Sequence, residues 1–493
     1  MLQLRGFRLA AAVLSGALLY VSLSLTPWWA AAWVAPIPIL LAAFYASAKE
    51  SRNLAWLTAA IGVSSNFTYY LKVTGPVATL VLLLLEVLMW VLFVTQTRIA
   101  VRGSKRWTIL YVFPIFFAAL DMLISFFSPH GTWSSFAYTQ MDALPVIQIA
   151  SILGAPAVVF IVALFSSTVA IALYHGGEIE HPALAYGLPI LLIGGVIGYG
   201  AVRLYDIATP NTVTVGVASI DEYIGTSVSS TQAKSVWNGY DTLVTRLAHS
   251  GAQIIVLPEK IAVLEPDAAA TREAALKLLA NRNAVYLDVG IQLNHATHKD
   301  NVSWLFGPQG ELLAEYHKQQ LVPHLESDLT PGHDDTIRTI DGKIFGLAIC
   351  RDLLFTSLGR RYGRLGSSAM LVPAWDFYSD AWMESAAADL RGVESGYGIV
   401  RAGRESFLNV SDRYGHIIAR RRSEGFPGSS ILAKLPLDPT TPTIYARYGD
   451  VFGWLCVVVM IVLRLRDRTK HIWPFDHVKR VGDPSSARSG LLH

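Results

Sequence analysis

The sequence predicts a multi-pass α-helical membrane domain joined to one extramembrane α/β domain. Hydrophobic residues make up 52% of the 493 residues and charged residues only 16%, whereas about a quarter of the residues are charged in soluble globular domains. The mean hydropathy of +0.40 agrees with a large lipid-embedded part. Apolar residues concentrate in 9–205 and near 450–464, while 211–436 have an ordinary soluble composition. The net charge of +3 is too small to indicate a nucleic-acid partner.

A spanning helix requires about 20 mainly apolar residues, and several stretches of the chain meet this requirement. They are 9–25, 27–47, 54–71, 76–97, 107–127, 146–174, 183–203 and 448–464. Arg5 and Arg8 precede the first stretch as in a signal peptide, but no small-residue cleavage site follows it before the next apolar run. We therefore predict seven helices within residues 1–205 and one further helix at 448–464, after a soluble domain at 211–436.

Basic residues in the short loops predict the orientation, because cytoplasmic loops carry an excess of Lys and Arg. Lys49 and Arg52 lie between the second and third predicted spans, and further basic residues lie in 98–106 between the fourth and fifth. The tail 465–493 is also strongly basic. We therefore expect both termini in the cytoplasm and the domain 211–436 on the opposite side. In a bacterium this means the plasma (inner) membrane, with the domain on the periplasmic side.

Two acidic residues, Glu86 and Asp121, fall within predicted spans. Ionisable residues inside a membrane commonly mark an ion or proton pathway. A pathway usually needs such residues in the middle of several helices. Here the predicted spans carry no Asp, Glu or Lys near the middle apart from these two. We interpret them as polar contacts between helices and do not predict a transporter.

The region 211–436 alternates strand-like and helix-like stretches. Strands are predicted at 212–218, 253–257, 285–291, 302–306, 312–316, 344–349, 368–372, 399–402 and 406–411. Helices are predicted at 230–248, 268–281 and 384–395. This alternation predicts a layered α/β domain, although periodicity alone does not give the order of the strands.

Three residues stand where predicted strands end: Glu259, Lys318 and Cys350. Loops at strand ends are where a rigid scaffold places reactive groups. A thiol needs a base or a nearby cation to become a strong nucleophile, so Glu259 can take the proton of Cys350. Lys318 can lower the thiol pKa and stabilise a developing oxyanion. Taken alone, Cys350 is better explained as a buried small apolar residue, which is how most free cysteines behave. Cys456 lies in an apolar span, so no structural disulfide is expected.

Motifs around these residues resemble the three motif regions of the nitrilase (carbon–nitrogen hydrolase) superfamily, in the same order. They are Val-Leu-Pro-Glu at 256–259, Lys318 with Leu-Val-Pro at 321–323 and Glu326, and Ile-Cys-Arg-Asp at 349–352. The predicted spans, with the soluble domain before the last one, resemble a membrane branch of that superfamily, the apolipoprotein N-acyltransferases. Further stretches are similar to the same branch: 128–140, 306–310, 391–394, 401–415 and 448–450.

The resemblance implies a four-layer α-β-β-α sandwich and an N-acyltransferase with a Glu-Lys-Cys triad. It implies that Glu259 is the general base, that Cys350 takes an acyl chain from a phospholipid as a thioester, and that Lys318 stabilises the oxyanion. Glu326 would hold Lys318 or the base in place. The N-terminal cysteine amine of a diacylglyceryl lipoprotein would then accept the acyl chain. We expect no cofactor and no metal ion, and a monomer by default.

Aromatic residues near the predicted site are candidates for a lid or for substrate binding. Trp375 and Tyr378 belong to one aromatic stretch, and Trp382 follows shortly after it. Trp237 stands at a position similar to a tryptophan of the family. Transfer without hydrolysis requires that water is kept from the thioester, which a lid would achieve. The alternative is that these rings pack against the membrane surface, where aromatic side chains accumulate.

Residues around the triad depart from the family pattern. Arg351 and Asp352 stand where the family usually has Tyr and Glu, and Arg404 and Ser406 stand where it has Asn and Gly. These departures leave the acceptor open, so an acyltransferase with a different acceptor remains an alternative.

Three other classes of protein share some of these features. A membrane-anchored amidase would use the same triad but would not need eight spans. A non-catalytic binding domain would have no use for a complete Glu, Lys and Cys set. A cysteine protease would depend on His317 or His324, which flank Lys318 and are better explained as surface or structural residues.

Overall fold

The computed structural model describes residues 4–205, 211–437 and 441–472. Its first part is a bundle of apolar helices, and the last helix, Val451–Ile472, packs against Val112–Phe127 through Cys456 and Val457. The other longer helices of the bundle are Arg5–Ser22, Pro36–Tyr45, Ala48–Val63, Phe67–Gly103, Ala155–His175 and Pro182–Tyr205. Many of the buried contacts are made by alanine, and small residues of this kind let membrane helices approach closely.

Four helical stretches among the described residues are long and apolar enough to cross a membrane. They are Ala48–Gly103, Trp107–Phe127, Ala155–Glu178 and Pro182–Tyr205. Shorter apolar helices are Trp29–Tyr45, Leu144–Leu153 and Val451–Leu465. The helix lengths and composition agree with the predicted membrane domain, whereas the number of crossings and the sides of the termini stay predictions.

The long stretch Ala48–Gly103 contains two of the predicted spans, 54–71 and 76–97. Gly75 has φ 78° and ψ 172°, a conformation that a β-carbon disfavours. Pro76 follows it and cannot donate the backbone hydrogen bond that would continue the preceding helix. The helix therefore breaks between the two predicted spans.

The predicted span 146–174 differs from the structure, where the continuous helix begins only at Ala155. Gly154 has φ 77°, and a β-carbon there would lie 2.5 Å from the ring of Tyr445. The backbone N–H of Ala155 donates to Oε1 of Glu394 at 2.7 Å, which satisfies one of the free donors at the helix start. Residues 144–153 form two short helical turns instead of continuing the span, and contact with the soluble domain explains the break.

The soluble domain contains two mixed β-sheets. Its strands are β1 (Thr212–Ser219), β2 (Ile254–Val256), β3 (Val263–Leu264), β4 (Tyr286–Asn294), β5 (Lys299–Phe306), β6 (Leu312–His317), β7 (Thr336–Ile340), β8 (Lys343–Leu347), β9 (Ala369–Trp375), β10 (Gly398–Arg404), β11 (Phe407–Ser411), β12 (Ile417–Arg422) and β13 (Ser429–Pro436). The first sheet has the order β13-β1-β2-β4-β5-β6, with β3 paired to β4, and the second has the order β12-β11-β10-β9-β8-β7. Every predicted strand is present, while β3, β7, β12 and β13 were not predicted.

Helices cover the outer face of each sheet. Ser230–His249 and Pro266–Asn283 pack on the first sheet, and Thr356–Arg364 and Ala381–Ser395 pack on the second. Apolar side chains of the two inner faces form the core between the sheets. The structure therefore confirms the four-layer α-β-β-α sandwich.

One of these helices, Ala381–Ser395, also joins the soluble domain to the membrane bundle. Its residues Ala387, Leu390 and Val393 belong to the same buried apolar cluster as the membrane helices. The second sheet therefore faces the bundle through this helix. Residues 473–493, which make up most of the predicted basic tail 465–493, lie outside the described residues.

Candidate active site

The ends of three strands bring the predicted site residues into one cluster. Glu259 lies beyond β2, Lys318 follows β6, and Cys350 lies beyond β8. The first two strands belong to one sheet and β8 belongs to the other, so the facing sheets place the residues opposite each other. Their exposed fractions are 2%, 1% and 8%.

The backbone at Cys350 has a conformation that is unusual for a residue with a side chain. Its φ is 48°, and such a left-handed conformation costs about 1–3 kcal/mol and persists where the surroundings enforce it. Asp352 holds the turn, since its carboxylate accepts from the N–H of Ile349 at 2.9 Å, from the N–H of Gln320 at 2.8 Å and from the hydroxyl of Tyr316 at 2.7 Å. Asp352 thus fixes the direction in which the thiol points.

Lys318 lies between two carboxylates. Its Nζ is 2.8 Å from Oε1 of Glu259 and 2.9 Å from Oε2 of Glu326. Asn301 donates to Oε1 of Glu259 at 2.6 Å and to Oε1 of Glu326 at 3.1 Å, and Lys260 lies 2.5 Å from the same Oε1 of Glu326. Glu326 therefore lies beside Lys318, where the resemblance placed it. The sequence analysis missed Asn301 and Lys260, because single polar residues in or beside a strand carry no signal of their own.

Burial and charge shift the pKa values of this network in opposite directions. Burial alone would lower the pKa of Lys318, but the carboxylates of Glu259 and Glu326 raise it above its usual value. Burial alone would raise the pKa of Glu326, but the ammonium groups of Lys318 and Lys260 lower it to about 2. Lys318 is therefore charged and Glu326 ionised at neutral pH.

The thiol of Cys350 is neutral at rest. Burial and the carboxylate of Glu259 raise its pKa well above the ordinary value, and Lys318 offsets only part of this rise. The expected net lowering of the thiol pKa by Lys318 is not what the structure gives, because burial and the nearby carboxylate of Glu259 outweigh the ammonium charge. Oε2 of Glu259 is buried and has no hydrogen-bond partner among the described residues. A carboxylate with a free oxygen therefore accompanies a neutral thiol.

A cavity of ≈ 330 Å³ extends from Cys350 into the helical bundle. Its walls in the bundle are mainly apolar and include Leu85, Met89, Trp90, Phe93, Phe117 and Ile124. Near the thiol it is lined by Arg351, Asp376 and Glu384. Burial, Asp376 and Asp380 raise the pKa of Glu384 to about 8, so this carboxyl group is largely protonated at pH 7. Sequence analysis did not single out Glu384.

The polar residues within predicted spans, Glu86 and Asp121, both line this cavity. Glu86 accepts from the hydroxyl of Tyr70 at 2.6 Å. Asp121 accepts from the hydroxyl of Ser135 and the N–H of Phe136, each at 2.9 Å. Both carboxyl groups therefore make polar contacts inside the bundle, as expected.

The four aromatic candidates lie in different places. Trp375 lines the cavity, and Trp382 packs on the apolar cluster of the bundle. Tyr378 is 48% exposed and lies under the guanidinium of Arg422 at 4.4 Å. Trp237 is buried in the outer helical layer and is not among the described residues that line the cavity. The structure thus keeps Trp375 beside the site and places Trp237 elsewhere, because its helix turns that face towards the first sheet.

Two of the departures from the family pattern are arginines with distinct contacts. Arg351 donates to the carbonyl oxygen of Leu321 at 3.0 Å and to that of Pro129 in the bundle. Arg404 lies 3.5 Å from the ring centroid of Trp375 and donates to the carbonyl oxygen of Lys260 at 3.1 Å. Both side chains therefore position elements around the site.

Ser406, another departure, supports an acidic residue beside the thiol. Its hydroxyl donates to Oδ2 of Asp376, and Arg401 donates to Oδ1 of Asp376 at 2.6 Å. The same Oδ1 lies 3.8 Å from Sγ of Cys350. Arg401 and Ser406 thereby hold Asp376 next to the thiol of Cys350.

Two family models match the chain. The model of the apolipoprotein N-acyltransferase N-terminal domain matches residues 15–168, and the carbon-nitrogen hydrolase model matches residues 216–397. The first match falls on the helical bundle and the second on the sandwich.

Curated relatives match both parts together. An apolipoprotein N-acyltransferase of Geobacter metallireducens is 27% identical over 511 residues, which cover 94% of this chain and 95% of the relative. Another, of Bradyrhizobium diazoefficiens, is 24% identical over 389 residues, which cover 68% of this chain and 69% of the relative. Among solved structures, an amidase from Nesterenkonia sp. AN1 has a TM-score of 0.43 and 17% identity, and covers 48% of this chain and 93% of its own.

Proposed function

Because the chain belongs to the apolipoprotein N-acyltransferase family of the nitrilase superfamily, we propose that it transfers an acyl chain from a phospholipid to the N-terminal cysteine amine of a diacylglyceryl lipoprotein. The observation that carries this proposal is the mainly apolar cavity that connects Cys350 with the helical bundle. A small hydrophilic amide needs no such cavity. An acyl chain does, since each CH₂ group kept out of water is worth about 0.8 kcal/mol.

In the first half-reaction Cys350 attacks the ester carbonyl of the phospholipid. Oε2 of Glu259, which has no other partner, takes the thiol proton as the S–C bond forms. The carbonyl oxygen becomes an oxyanion, and Lys318 stabilises it. An ammonium group has three N–H donors, of which two are directed at Glu259 and Glu326, so one remains for the oxyanion. The C–O bond then breaks, and Glu259 returns the proton to the leaving lysophospholipid hydroxyl.

In the second half-reaction the neutral acceptor amine attacks the thioester. Glu259 takes a proton from the amine as the C–N bond forms, and Lys318 stabilises the second oxyanion. The C–S bond breaks, and the proton goes back to the sulfur of Cys350. The enzyme returns to its starting state, so the two steps predict ping-pong kinetics.

The proposed location follows from the nature of both substrates. Phospholipid and lipoprotein stay in the bilayer, so an active site at the membrane surface avoids moving an acyl chain into water. The basic loops, which are predicted to face the cytoplasm, support a position of the sandwich on the periplasmic side. The proposal therefore includes a periplasmic catalytic domain and cytoplasmic termini.

The test is the intact mass of the purified protein after incubation with phospholipid and no acceptor. We expect a mass gain of one acyl chain in the wild type, none in Cys350→Ala, and release of the adduct by a diacylglyceryl lipopeptide with a free amine. A protein that forms no adduct but hydrolyses small amides would be an amidase. An adduct that only other amines release would point to a different acceptor.

A further inference from the structure

A cluster of histidines lies outside the cavity, where the loop between β4 and β5 meets the end of β6. His295 and His298 are in that loop, Asp300 is in β5, and His317 ends β6. Nε2 of His295 and Nε2 of His298 lie 3.4 and 3.3 Å from Oδ2 of Asp300. Nδ1 of His317 lies 3.9 Å from the same oxygen. Three imidazoles therefore converge on one carboxylate.

The distances suit a shared metal ion better than hydrogen bonds. An N–H···O hydrogen bond has a donor–acceptor distance of about 2.7–3.2 Å, shorter than any of the three. Four ligands at about 2.0–2.1 Å from a tetrahedral Zn²⁺ lie about 3.3–3.4 Å from one another. The separations from Asp300 to His295 and His298 have this value, and the candidate ligand atoms of these three residues all lie within 4.8 Å of one another.

Neighbouring groups orient the imidazoles as they do in metal sites. Nε2 of His317 is 2.9 Å from Oε1 of Glu315, which leaves Nδ1 facing the cluster, and Glu315 is itself held by Nε1 of Trp304 at 2.8 Å. Nδ1 of His298 is 3.2 Å from the hydroxyl of Thr297, which leaves Nε2 facing Asp300. A carboxylate that holds the far nitrogen of a ligand histidine is a recurrent feature of protein zinc sites.

We propose that His295, His298 and Asp300 bind a divalent transition-metal ion of the zinc type. His317, which stands outside this group of three with Nδ1 3.9 Å from Asp300, would move towards the ion as its fourth ligand. The donor set of imidazole nitrogens and one carboxylate oxygen suits Zn²⁺ rather than Mg²⁺ or Ca²⁺, which prefer oxygen ligands. The sequence analysis predicted no metal. The His-x-x-His spacing that begins at His295 was the available signal, but His317 reaches the cluster only through the pairing of β5 with β6.

The ion would have a structural role beside the proposed active site. Asp300 precedes Asn301, and His317 precedes Lys318. The N–H of Lys318 donates to the carbonyl oxygen of Asn301 at 2.9 Å. A metal ion that joins Asp300 to His317 would therefore fasten β5 to β6 at the point from which Asn301 and Lys318 reach Glu259. The thiol chemistry itself would not use the ion.

The test is Zn²⁺ binding to the full-length protein in detergent, purified with a tag that contains no histidine and stripped with a chelator. We expect one equivalent of Zn²⁺ by calorimetry, at least tenfold weaker binding in His298→Ala, and a measurably weaker site in Glu315→Gln. As a second measurement, Zn²⁺ should raise the thermal unfolding temperature of the wild type, because it binds only the folded state, and should not raise that of His298→Ala.

A matched control distinguishes this site from nonspecific Zn²⁺ binding by surface histidines. His249 is exposed on another helix, Ser230–His249, so His249→Ala should bind Zn²⁺ like the wild type. Equal loss of binding in His249→Ala and His298→Ala, or unchanged binding in His298→Ala, would overturn the proposal. Absence of any stoichiometric binding to the wild type would overturn it as well. None of these results depends on acyl transfer.

Discussion

Lys318 and Glu259 form an ion pair that is shielded from solvent, with Nζ 2.8 Å from Oε1, while Oε2 of Glu259 has no partner among the described residues. In the proposed mechanism one carboxylate would therefore carry two tasks on separate oxygens. Oε1 positions the ammonium group, and Oε2 remains free to accept a proton. A buried carboxylate oxygen without a partner is costly, and such a cost persists at a site where function requires it.

We predict that Glu259→Gln separates these two tasks. The amide oxygen can still accept from Lys318, but the side chain can no longer take a proton. General-base catalysis contributes about 10²–10⁴-fold to a rate, so the initial rate of thioester formation should fall by that factor. The measurement is the time course of the acyl adduct by intact mass.

The control for this variant is Glu265→Gln, at an exposed position a few residues further on. It should acylate at the wild-type rate. Glu265→Gln should keep the wild-type thermal unfolding temperature, whereas Glu259→Gln leaves Lys318 with one carboxylate partner and should unfold at a lower temperature. Adduct formation is therefore measured well below both unfolding transitions. A Glu259→Gln protein that forms the adduct at the wild-type rate would remove Glu259 from the role of base.

The raised pKa of Cys350 predicts how the thiol reacts with a small haloacetamide. Burial and the Glu259 carboxylate disfavour the thiolate, so the alkylation rate should continue to rise as the pH passes 9. Cys456 is the only other cysteine, so the experiment uses a Cys456→Ala background, and Cys456→Ala with Cys350→Ala serves as the blank. A rate that reaches its plateau below pH 8 would show a thiolate that is already formed.

Glu326 makes stability depend on pH. Its folded-state pKa is about 2 against an ordinary value of 4.5, so the folded state favours the ionised form more than the unfolded state does. The stabilisation is therefore present above pH 4.5 and is lost as the pH falls from 4.5 towards 2. Glu326→Gln removes this contribution, so the difference in unfolding temperature between wild type and variant should shrink across that range. A constant difference would contradict the assignment.

The sequence could single out Glu259, Lys318 and Cys350 because each lies at or just beyond the end of an apolar strand and within a motif that resembles the nitrilase superfamily. Neither feature needs knowledge of the strand order. The partners of these residues could not be predicted. Asn301 reaches Glu259 and Glu326 only through the register of β5 with β4 and β6. Asp376 reaches Cys350 only because β9 lies next to β8. Such neighbours depend on sheet topology, which periodicity does not give.

In the helical half of the chain, too, local features could be predicted from the sequence and long-range contacts could not. Hydropathy predicted most of the apolar helices, since length and composition are local properties. It placed the start of the span 146–174 too early, because the break at Gly154 depends on Glu394 of the soluble domain and on Tyr445, which lies between that domain and the last helix. Trp237 was proposed near the site from a loose similarity, whereas its helix packs on the far face of the first sheet.

Arg351 should join the nucleophile turn to the membrane bundle. It donates to carbonyl oxygens of Leu321 and Pro129, and hydrogen bonds from a charged group contribute about 1.5–3 kcal/mol each. Arg351→Met should therefore lower the unfolding temperature in detergent by several degrees and slow thioester formation. Arg364→Met, at an exposed arginine that ends the helix Thr356–Arg364 and makes no side-chain hydrogen bond among the described residues, is the control and should change neither quantity. Equal effects of the two variants would show that Arg351 has no particular joining role.

The cavity predicts a way to change the length of the transferred acyl chain. Met89 lines the cavity, so the larger side chain in Met89→Trp should occupy part of its ≈ 330 Å³ and shift the preference towards phospholipids with shorter chains. Leu88, the preceding residue, is 44% exposed on the outside of the bundle, and Leu88→Trp adds the same indole without entering the cavity. Competition between donors of two chain lengths, read as the mass of the adduct on Cys350, measures the preference. The ratio of short to long adducts should rise in Met89→Trp, because a partly filled cavity cannot hold the longer chain. The ratio should stay at the wild-type value in Leu88→Trp. An unchanged ratio in both variants would mean that the acyl chain binds elsewhere.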